Sequence, residues 1–237
     1  FFLPPPHHLA CLKITKKEAI NSNRLFTNLK TTIEISKTAL INNIHTLRAR
    51  VPSKDIMAVV KANAYGHGIA QIVPILADNG IKWFAVDNID EALEVRSLTD
   101  AHILVLGYVP FKQLDIAAKY DISLTVYNNQ TVDHLAKLPG KTKVHIKVET
   151  GMNRQGTKNE ELKKITETIK KSPHIILEGT STHFADPEDF EVTHKQIEIF
   201  KICSKCKLEK PYIEFMKSKS SKTGLRGTCR QCEKSIS

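Results

Sequence analysis

The stretch IMAVVKANAYGHG, residues 56–68, joins a short apolar run to a lysine and a glycine-rich turn. The run at 56–61 has the length and the β-branched content of a buried strand. Apolar residues at helical spacing follow it, at Ile69, Ile72, Val73 and Leu76. The sequence therefore predicts a strand that Lys61 closes, then a loop, then a helix.

The same alternation continues toward residue 200. Five further apolar runs predict strands at 82–87, 102–107, 123–127, 143–148 and 177–184. A helix from Lys37 to Arg50, with Ser36 as its N-cap, is predicted before the first strand.

Strands and helices that alternate this regularly are typical of a parallel sheet with helices on its faces. Six units fit most of a (β/α)8 TIM-type barrel, which needs eight, and they also fit an open doubly wound sheet. No glycine-rich dinucleotide motif follows the first strand. We predict an α/β fold, an incomplete TIM-type barrel of about six units with a small four-cysteine zinc-binding tail.

Composition excludes several classes of protein and divides the chain into segments. With 237 residues, 41% hydrophobic and 25% charged, a disordered, collagen-like or fibrous chain is not expected. The net charge of +10 lies at the ends, since residues 31–200 are nearly neutral and residues 201–237 carry ten Lys and Arg against three acidic residues. We predict a poorly ordered lead-in at 1–30, a barrel at 31–200 and a separate module at 201–237.

The sequence also predicts where the protein is located and how the chain arose. No apolar run approaches the ~18 residues of a membrane-spanning helix, and no secretory signal is visible, so a cytoplasmic protein is expected. The chain does not begin with Met, and composition changes near Phe200 without a linker. We interpret the chain as a fragment or a processed product, in which the junction is either natural or joins two unrelated reading frames.

Four of the five cysteines form two pairs with two-residue spacing in the tail, Cys203 with Cys206 and Cys229 with Cys232. Without a secretory signal, such pairs are typical of metal ligands rather than disulfides. Four thiolates favour tetrahedral zinc, which would supply folding energy that so short a segment cannot obtain from a core. Four unliganded thiols are the alternative.

The tail also carries basic side chains with aromatic neighbours. These residues are Lys217, Lys219, Lys222, Arg226 and Arg230, with Tyr212 and Phe215 nearby. They could contact phosphates and stack a base of a nucleic acid, or they could form a solvated structural surface.

Lys61 is unusual because a charged residue closes an apolar strand. At the carboxyl end of a barrel strand, it would point into the mouth where active sites form. A partly desolvated lysine there can lose its proton and form a Schiff base with a carbonyl compound. On position alone, a solvated lysine at a strand end is the simpler interpretation.

Three segments, in this order, resemble motifs of the alanine racemase family. VVKANAYGHG at 59–68 resembles the segment with the cofactor lysine, and KVETGMNRQG at 147–156 resembles K-x-D-T-G-M-N-R-x-G. EGTSTHFADPED at 178–189 resembles EG-x-x-T-H-F-A-x-A-D-E. The resemblance covers about residues 31–200. It implies a barrel that binds pyridoxal phosphate and interconverts L- and D-alanine, which supplies D-alanine as a peptidoglycan precursor for the cell wall.

The resemblance implies roles for five side chains. Lys61 would hold pyridoxal phosphate as a Schiff base and handle the proton on the D-side. Tyr65 would hydrogen-bond the cofactor phosphate, and Arg154 would contact its phenolic oxygen and help place the substrate carboxylate. Lys147 matches a lysine that is often carbamylated and steadies that arginine. His183, at the end of the sixth strand, would lie near the face of the pyridine ring.

Two positions depart from the family pattern, Glu149 in place of Asp and Gln155 in place of an apolar residue. The resemblance also implies a homodimer, in which a tyrosine of a C-terminal β-domain supplies the second catalytic base to the partner's site. That domain and the last barrel strands are not recognisable here, so we expect impaired racemisation. The alternative function is a nucleic-acid-binding zinc module attached to an inactive racemase remnant.

Overall fold

The computed structural model describes residues 34–200, 215–217 and 225–229. The lead-in predicted at 1–30 and most of the tail predicted at 201–237 lie outside these residues. The helices are α1 (Lys37–Arg50), α2 (Lys61–Tyr65), α3 (Ile69–Asp78), α4 (Ile89–Arg96), α5 (Leu114–Lys119), α6 (Asn129–Leu135), α7 (Asn159–Lys171) and α8 (Phe190–Ile199), with a 3-10 turn at Phe111–Gln113. The strands are β1 (Met57–Val59), β2 (Trp83–Val86), β3 (His102–Val105), β4 (Ile122–Val126), β5 (Thr142–Lys147), β6 (Ile175–Ser181), β7 (Phe215–Lys217) and β8 (Leu225–Cys229).

Six strands form one sheet in chain order, from β1 to β6. The pairs β1–β2, β4–β5 and β5–β6 are parallel, and helices separate consecutive strands. The predicted α/β fold with a parallel sheet is therefore confirmed, and each predicted strand overlaps an observed one. The remaining strands, β7 and β8, form an antiparallel pair in the predicted tail. Within the described ranges, no helix is both long and apolar enough to cross a bilayer.

The described residues form two compact units, the first at 34–104 and the second from 105 onward. In the first unit, α1 has the predicted bounds and the predicted N-cap, because the Ser36 hydroxyl accepts a hydrogen bond from Ala39 N at 3.2 Å. β1 pairs with β2, and fully buried side chains of α3 and β2, such as Ile69 and Phe84, form its core.

In the second unit, β5 lies between β4 and β6. Val144 of β5 is opposite Leu177 of β6, but the register shifts at the next residue, where His145 is opposite Gly179. The shift leaves Glu178 as the extra residue of a β-bulge.

A polar cluster occupies this bulge. His145 Nε2 lies 3.0 Å from Glu178 Oε2, which also accepts a hydrogen bond from the Ser123 hydroxyl at 2.5 Å. A Cβ on Gly179 would come within 2.7 Å of the His145 ring, so glycine at this position leaves room for the imidazole. Burial lowers the pKa of His145 below its usual 6.5, and the hydrogen bond and charge of Glu178 offset this only in part. His145 is therefore neutral at pH 7 and donates to the carboxylate from Nε2.

We expect this histidine to make the fold acid-sensitive. The pKa of His145 is lower in the folded than in the unfolded chain. Its contribution to the free energy of unfolding is therefore complete above about pH 6.5 and is lost as the pH falls below that value. Replacing His145 with Gln should reduce the loss of unfolding free energy between pH 7.5 and 5.5, measured by urea denaturation. His45→Gln, at an exposed position of α1, is the control and should keep the wild-type acid dependence. Equal acid dependence in wild type and His145→Gln would contradict this explanation.

Candidate active site

Lys61 lies two residues after the end of β1, in the first unit, so the prediction that it closes the first strand is wrong by two residues. Its side chain is 36% exposed, and Nζ lies 4.0 Å from Oδ1 of Asp87, the residue that directly follows β2. Both residues follow the carboxyl ends of neighbouring parallel strands. This is the edge of an α/β sheet at which ligands bind. The structure thus pairs the predicted lysine with a carboxylate that the sequence analysis did not single out.

The chain after Lys61 forms a left-handed turn. Residues 62–65 all have φ between 51° and 55°, although none is glycine, and α2 is therefore not a right-handed helix. Each such residue costs about 1–2 kcal/mol relative to right-handed backbone. The predicted loop is present, but its left-handed backbone was not predicted.

Several hydrogen bonds hold the turn in place. Ala64 N donates to Val60 O at 2.8 Å, and Gly68 N donates to Asn63 O at 2.9 Å. The Asn63 side chain accepts a hydrogen bond from Ile69 N at 2.9 Å, which joins the turn to the start of α3. These bonds fix the backbone on which Lys61 stands.

Tyr65 is the last residue of the left-handed turn, with φ of 55°. Its side chain is 58% exposed, which leaves the phenol accessible to a ligand. Lys61 and Tyr65 are therefore brought onto one short turn, as the first motif predicts.

In the second unit, Lys147 is the last residue of β5 and is 9% exposed. The chain then leaves the strand and returns beside it, because Thr157 N donates to Lys147 O and Glu149 N donates to Thr157 O. Residues 149–156 form the resulting loop, with Arg154 exposed on it. The second motif thus forms one closed loop at the carboxyl end of β5.

Glu149 organises this loop from within. Its Oε1 accepts a hydrogen bond from Gly151 N at 2.6 Å. Burial raises the pKa of the Glu149 carboxyl, but the backbone N–H groups of the loop, with the charge of Lys158, outweigh burial and leave the pKa below its ordinary value. Gly156 closes the loop at φ +155°, where a Cβ would lie 2.7 Å from Glu149 N. The loop therefore needs both an ionised residue at its start and glycine at its end.

His183 lies two residues beyond β6, so the prediction that it ends the sixth strand is wrong by two residues. It is partly buried, and Thr182 before it is bonded to the residue that follows β5, since the Thr182 hydroxyl donates to Val148 O at 3.0 Å. His183 follows β6, and the loop at 149–156 follows β5, so the two lie on neighbouring connections of the second unit.

Gln196 of α8 holds these two connections together. It is 2% exposed, and its Nε2 donates to Thr150 Oγ1 and to His183 O, both at 3.0 Å. Its Oε1 accepts a hydrogen bond from Ala185 N at 2.8 Å. Both polar atoms of the Gln196 amide are thus hydrogen-bonded, and two of the three bonds hold the backbone at His183 and Ala185. Sequence analysis missed it because a polar residue in a helix ordinarily indicates an exposed position.

The predicted zinc ligands lie largely outside the described residues. Only Cys229, the last residue of β8, is among them, whereas Cys203, Cys206 and Cys232 are not. Across the described part of the chain, no cluster of His, Cys, Asp and Glu is arranged to hold a metal ion.

Comparison with known families gives one consistent result. The family described as "Alanine racemase, N-terminal domain" matches residues 35–233. Alanine racemase from Methanococcus maripaludis is 40% identical over 180 residues, which cover 72% of this chain and 48% of that protein. Alanine racemase from Listeria monocytogenes serotype 4b is 38% identical over 175 residues, covering 72% of this chain and 47% of the relative. The chain spans about half the length of the curated relatives it matches.

Solved structures agree with the sequence matches. The alanine racemase from Bacillus anthracis with bound L-Ala-P superposes with a TM-score of 0.64 at 37% identity, covering 68% of this chain and 44% of that one. A histidine racemase from Leuconostoc mesenteroides gives the same TM-score of 0.64 at 29% identity, covering 68% and 45%. Racemases with differently named substrates thus share this fold.

Gln196 offers a test of how the His183 connection is held. We expect Gln196→Leu to lower the free energy of unfolding by about 1–3 kcal/mol, because it leaves buried backbone groups without partners. Hydrogen exchange at the Ala185 amide should accelerate as well. The exposed Gln130 of α6 provides a matched control, and Gln130→Ala should change neither quantity. Unchanged exchange at Ala185 in Gln196→Leu would show that the amide does not hold this connection.

Proposed function

The chain belongs to the alanine racemase N-terminal domain family, and we propose on this premise that it binds pyridoxal phosphate through Lys61 and acts in the interconversion of L- and D-alanine. The observation that carries the proposal is the position of Lys61, a partly exposed amine at the carboxyl end of the first parallel strand. Such an amine is accessible to an aldehyde while its backbone is held in a defined turn.

The residues around Lys61 fit this cofactor chemically. The exposed phenol of Tyr65 is a hydrogen-bond donor for a phosphate, and it lies on the same turn as the amine. When bound, pyridoxal phosphate supplies the electron sink that stabilises negative charge at the substrate Cα. Lys61 Nζ would hold the cofactor and exchange the proton at Cα on one face of the substrate.

The loop after β5 would supply the anion-binding group of the second unit. Arg154 is exposed and can bind a carboxylate or a phenolate oxygen through two parallel hydrogen bonds. The Glu149 hydrogen bonds fix the loop backbone on which Arg154 stands, while Lys147 is buried at the start of that loop. The family resemblance implies that His183 lies near the face of the pyridine ring, and the His183 carbonyl accepts a hydrogen bond from Gln196 Nε2.

Racemisation requires proton exchange on both faces of Cα. Lys61 accounts for one face, and the family resemblance assigns the other to a tyrosine of a partner subunit. We therefore propose proton exchange on the Lys61 face as the reaction of this chain's own residues, with a homodimer as the form that would complete it. Because a histidine racemase shares the fold, the assay compares alanine with histidine.

Lys61→Ala tests the proposal directly. Wild type titrated with pyridoxal phosphate should develop a visible chromophore, and borohydride reduction followed by peptide mapping should find the adduct on Lys61. In deuterated water, alanine incubated with the loaded protein should gain deuterium at Cα. Lys61→Ala should lose all three signals, whereas Lys82→Ala, at an exposed position before β2, should keep them. An undiminished chromophore in Lys61→Ala would refute the assignment.

The tail supports a second candidate function. We propose that Cys203, Cys206, Cys229 and Cys232 bind one zinc ion, on the basis of their paired spacing. The antiparallel strands β7 and β8 lie between the two cysteine pairs, and β8 ends at Cys229. A short hairpin that leads into a ligand residue favours a compact module, whose basic side chains would contact nucleic acid.

Metal analysis of the purified chain should find about one zinc per chain, as four thiolates at one tetrahedral ion require. Cys203→Ser combined with Cys206→Ser should abolish it, while Cys11→Ser, which removes the cysteine outside the tail, should not. Any DNA or RNA binding should weaken with salt and disappear on chelation. Equal zinc content in the double variant would exclude the four-cysteine site.

A further inference from the structure

The Glu91 carboxylate joins the backbone segments that carry Lys61 and Asp87. Its Oε1 accepts a hydrogen bond from Asn63 N at 3.3 Å, and its Oε2 accepts one from Asp87 N at 2.9 Å. Glu91 lies in the first turn of α4, where its own N–H donates to the N-cap Asn88 at 3.0 Å. One carboxylate on a capped helix thus binds the loop after β1 and the loop after β2 at the same time.

We propose that Glu91 is a positioning residue for Lys61, which sets the place of the amine beside Asp87 by holding the left-handed turn. The inference rests on the proposed function, in which Lys61 is the group that binds pyridoxal phosphate. Residues 62–65 occupy a backbone region that non-glycine residues avoid, so they stay there only while surrounding bonds hold them.

The bond from Asn63 N to the Glu91 carboxylate is 3.3 Å long and lies at the surface, so it matters through the segments that it joins and not through unusual strength. Most other bonds of the turn join backbone groups within residues 60–68, so they would move together with the turn. The Glu91 bond instead fixes the turn to a different helix, 28 residues away in the sequence. Losing it would let the turn shift and carry Lys61 Nζ away from Asp87.

Helix capping is the competing explanation for Glu91. A glutamate three residues after an N-cap commonly accepts the N–H of the N-cap residue itself. Here Oε2 binds the residue before the N-cap, and Oε1 binds a separate loop. If Glu91 served only to cap α4, then Asn88→Ala, which removes the other cap of the same helix, would affect Lys61 equally.

The test compares wild type, Glu91→Gln, Asn88→Ala and Glu94→Gln in the full chain, with Glu94 as an exposed glutamate of the same helix. A glutamine retains the size of Glu91, but it can accept only one of the two hydrogen bonds and carries no charge. Three quantities are measured. They are amide hydrogen exchange at Asn63, borohydride-trapped pyridoxal phosphate on Lys61, and reductive methylation of Lys61 by formaldehyde. The two lysine reactions are normalised to the exposed Lys82.

We expect Glu91→Gln to accelerate exchange at Asn63 by roughly two- to tenfold, as loss of one ordinary hydrogen bond implies. Trapping of pyridoxal phosphate on Lys61 should fall by a similar factor relative to Lys82. Asn88→Ala and Glu94→Gln should keep the wild-type values at Lys61. Unchanged trapping in Glu91→Gln, or an equal loss in Asn88→Ala, would overturn the proposal while leaving the proposed function intact.

Failure of the proposed function has a different signature. If wild type traps no pyridoxal phosphate at Lys61, the cofactor assignment fails, and Glu91 is judged by the two measurements that need no cofactor. A changed ratio of Lys61 to Lys82 methylation, together with faster exchange at Asn63, would still support the positioning role. If Glu91→Gln changes neither, the positioning role is refuted as well.

Discussion

The left-handed turn at residues 62–65 is the constraint on which the lysine site depends. Val60, the residue after β1, is still bonded to the neighbouring strand, since its N–H donates to Ala85 O at 2.8 Å. The chain must therefore leave the strand abruptly, and it does so in four consecutive residues with positive φ. A conformation of this kind, unfavourable for each residue, persists only where contacts on several sides determine it. The amine of Lys61 is accordingly set by its surroundings and not by local preference.

The second unit fixes its loops in a different way. There the backbone is held by buried polar side chains, with Glu149 bonded within one loop and Gln196 bonded between two connections. Strained backbone is confined to single positions such as Gly156, where glycine is required by close contact. Buried polar groups that are fully hydrogen-bonded make a connection rigid, because any displacement leaves several of them unpaired.

Features that depend on local pattern were predictable. Periodicity located all six strands of the sheet, and the first helix was predicted with its bounds and with Ser36 as its cap. Long-range contacts were not predictable, because Glu91 reaches Asn63 across 28 residues and Gln196 reaches Thr150 across 46. The left-handed turn was missed because alanine and tyrosine give no indication of positive φ. The end of β6 was displaced because pairing stops where β5 ends, with Ser181 opposite Lys147, and the apolar run alone does not mark the end of the partner strand.

The shared fold explains a reaction class better than it explains a substrate. Alanine and histidine racemases superpose on this chain equally well, so the sheet and its loops do not distinguish a methyl side chain from an imidazole. What the first unit fixes is a lysine, a neighbouring carboxylate and a phenol at one edge of the sheet. In the proposed function these groups would act, through pyridoxal phosphate, on the parts that all amino acids have in common, the amine and the Cα proton. Discrimination between substrates must come from the residues that would contact the substrate's side chain. Such residues can change without disturbing the turn that holds Lys61.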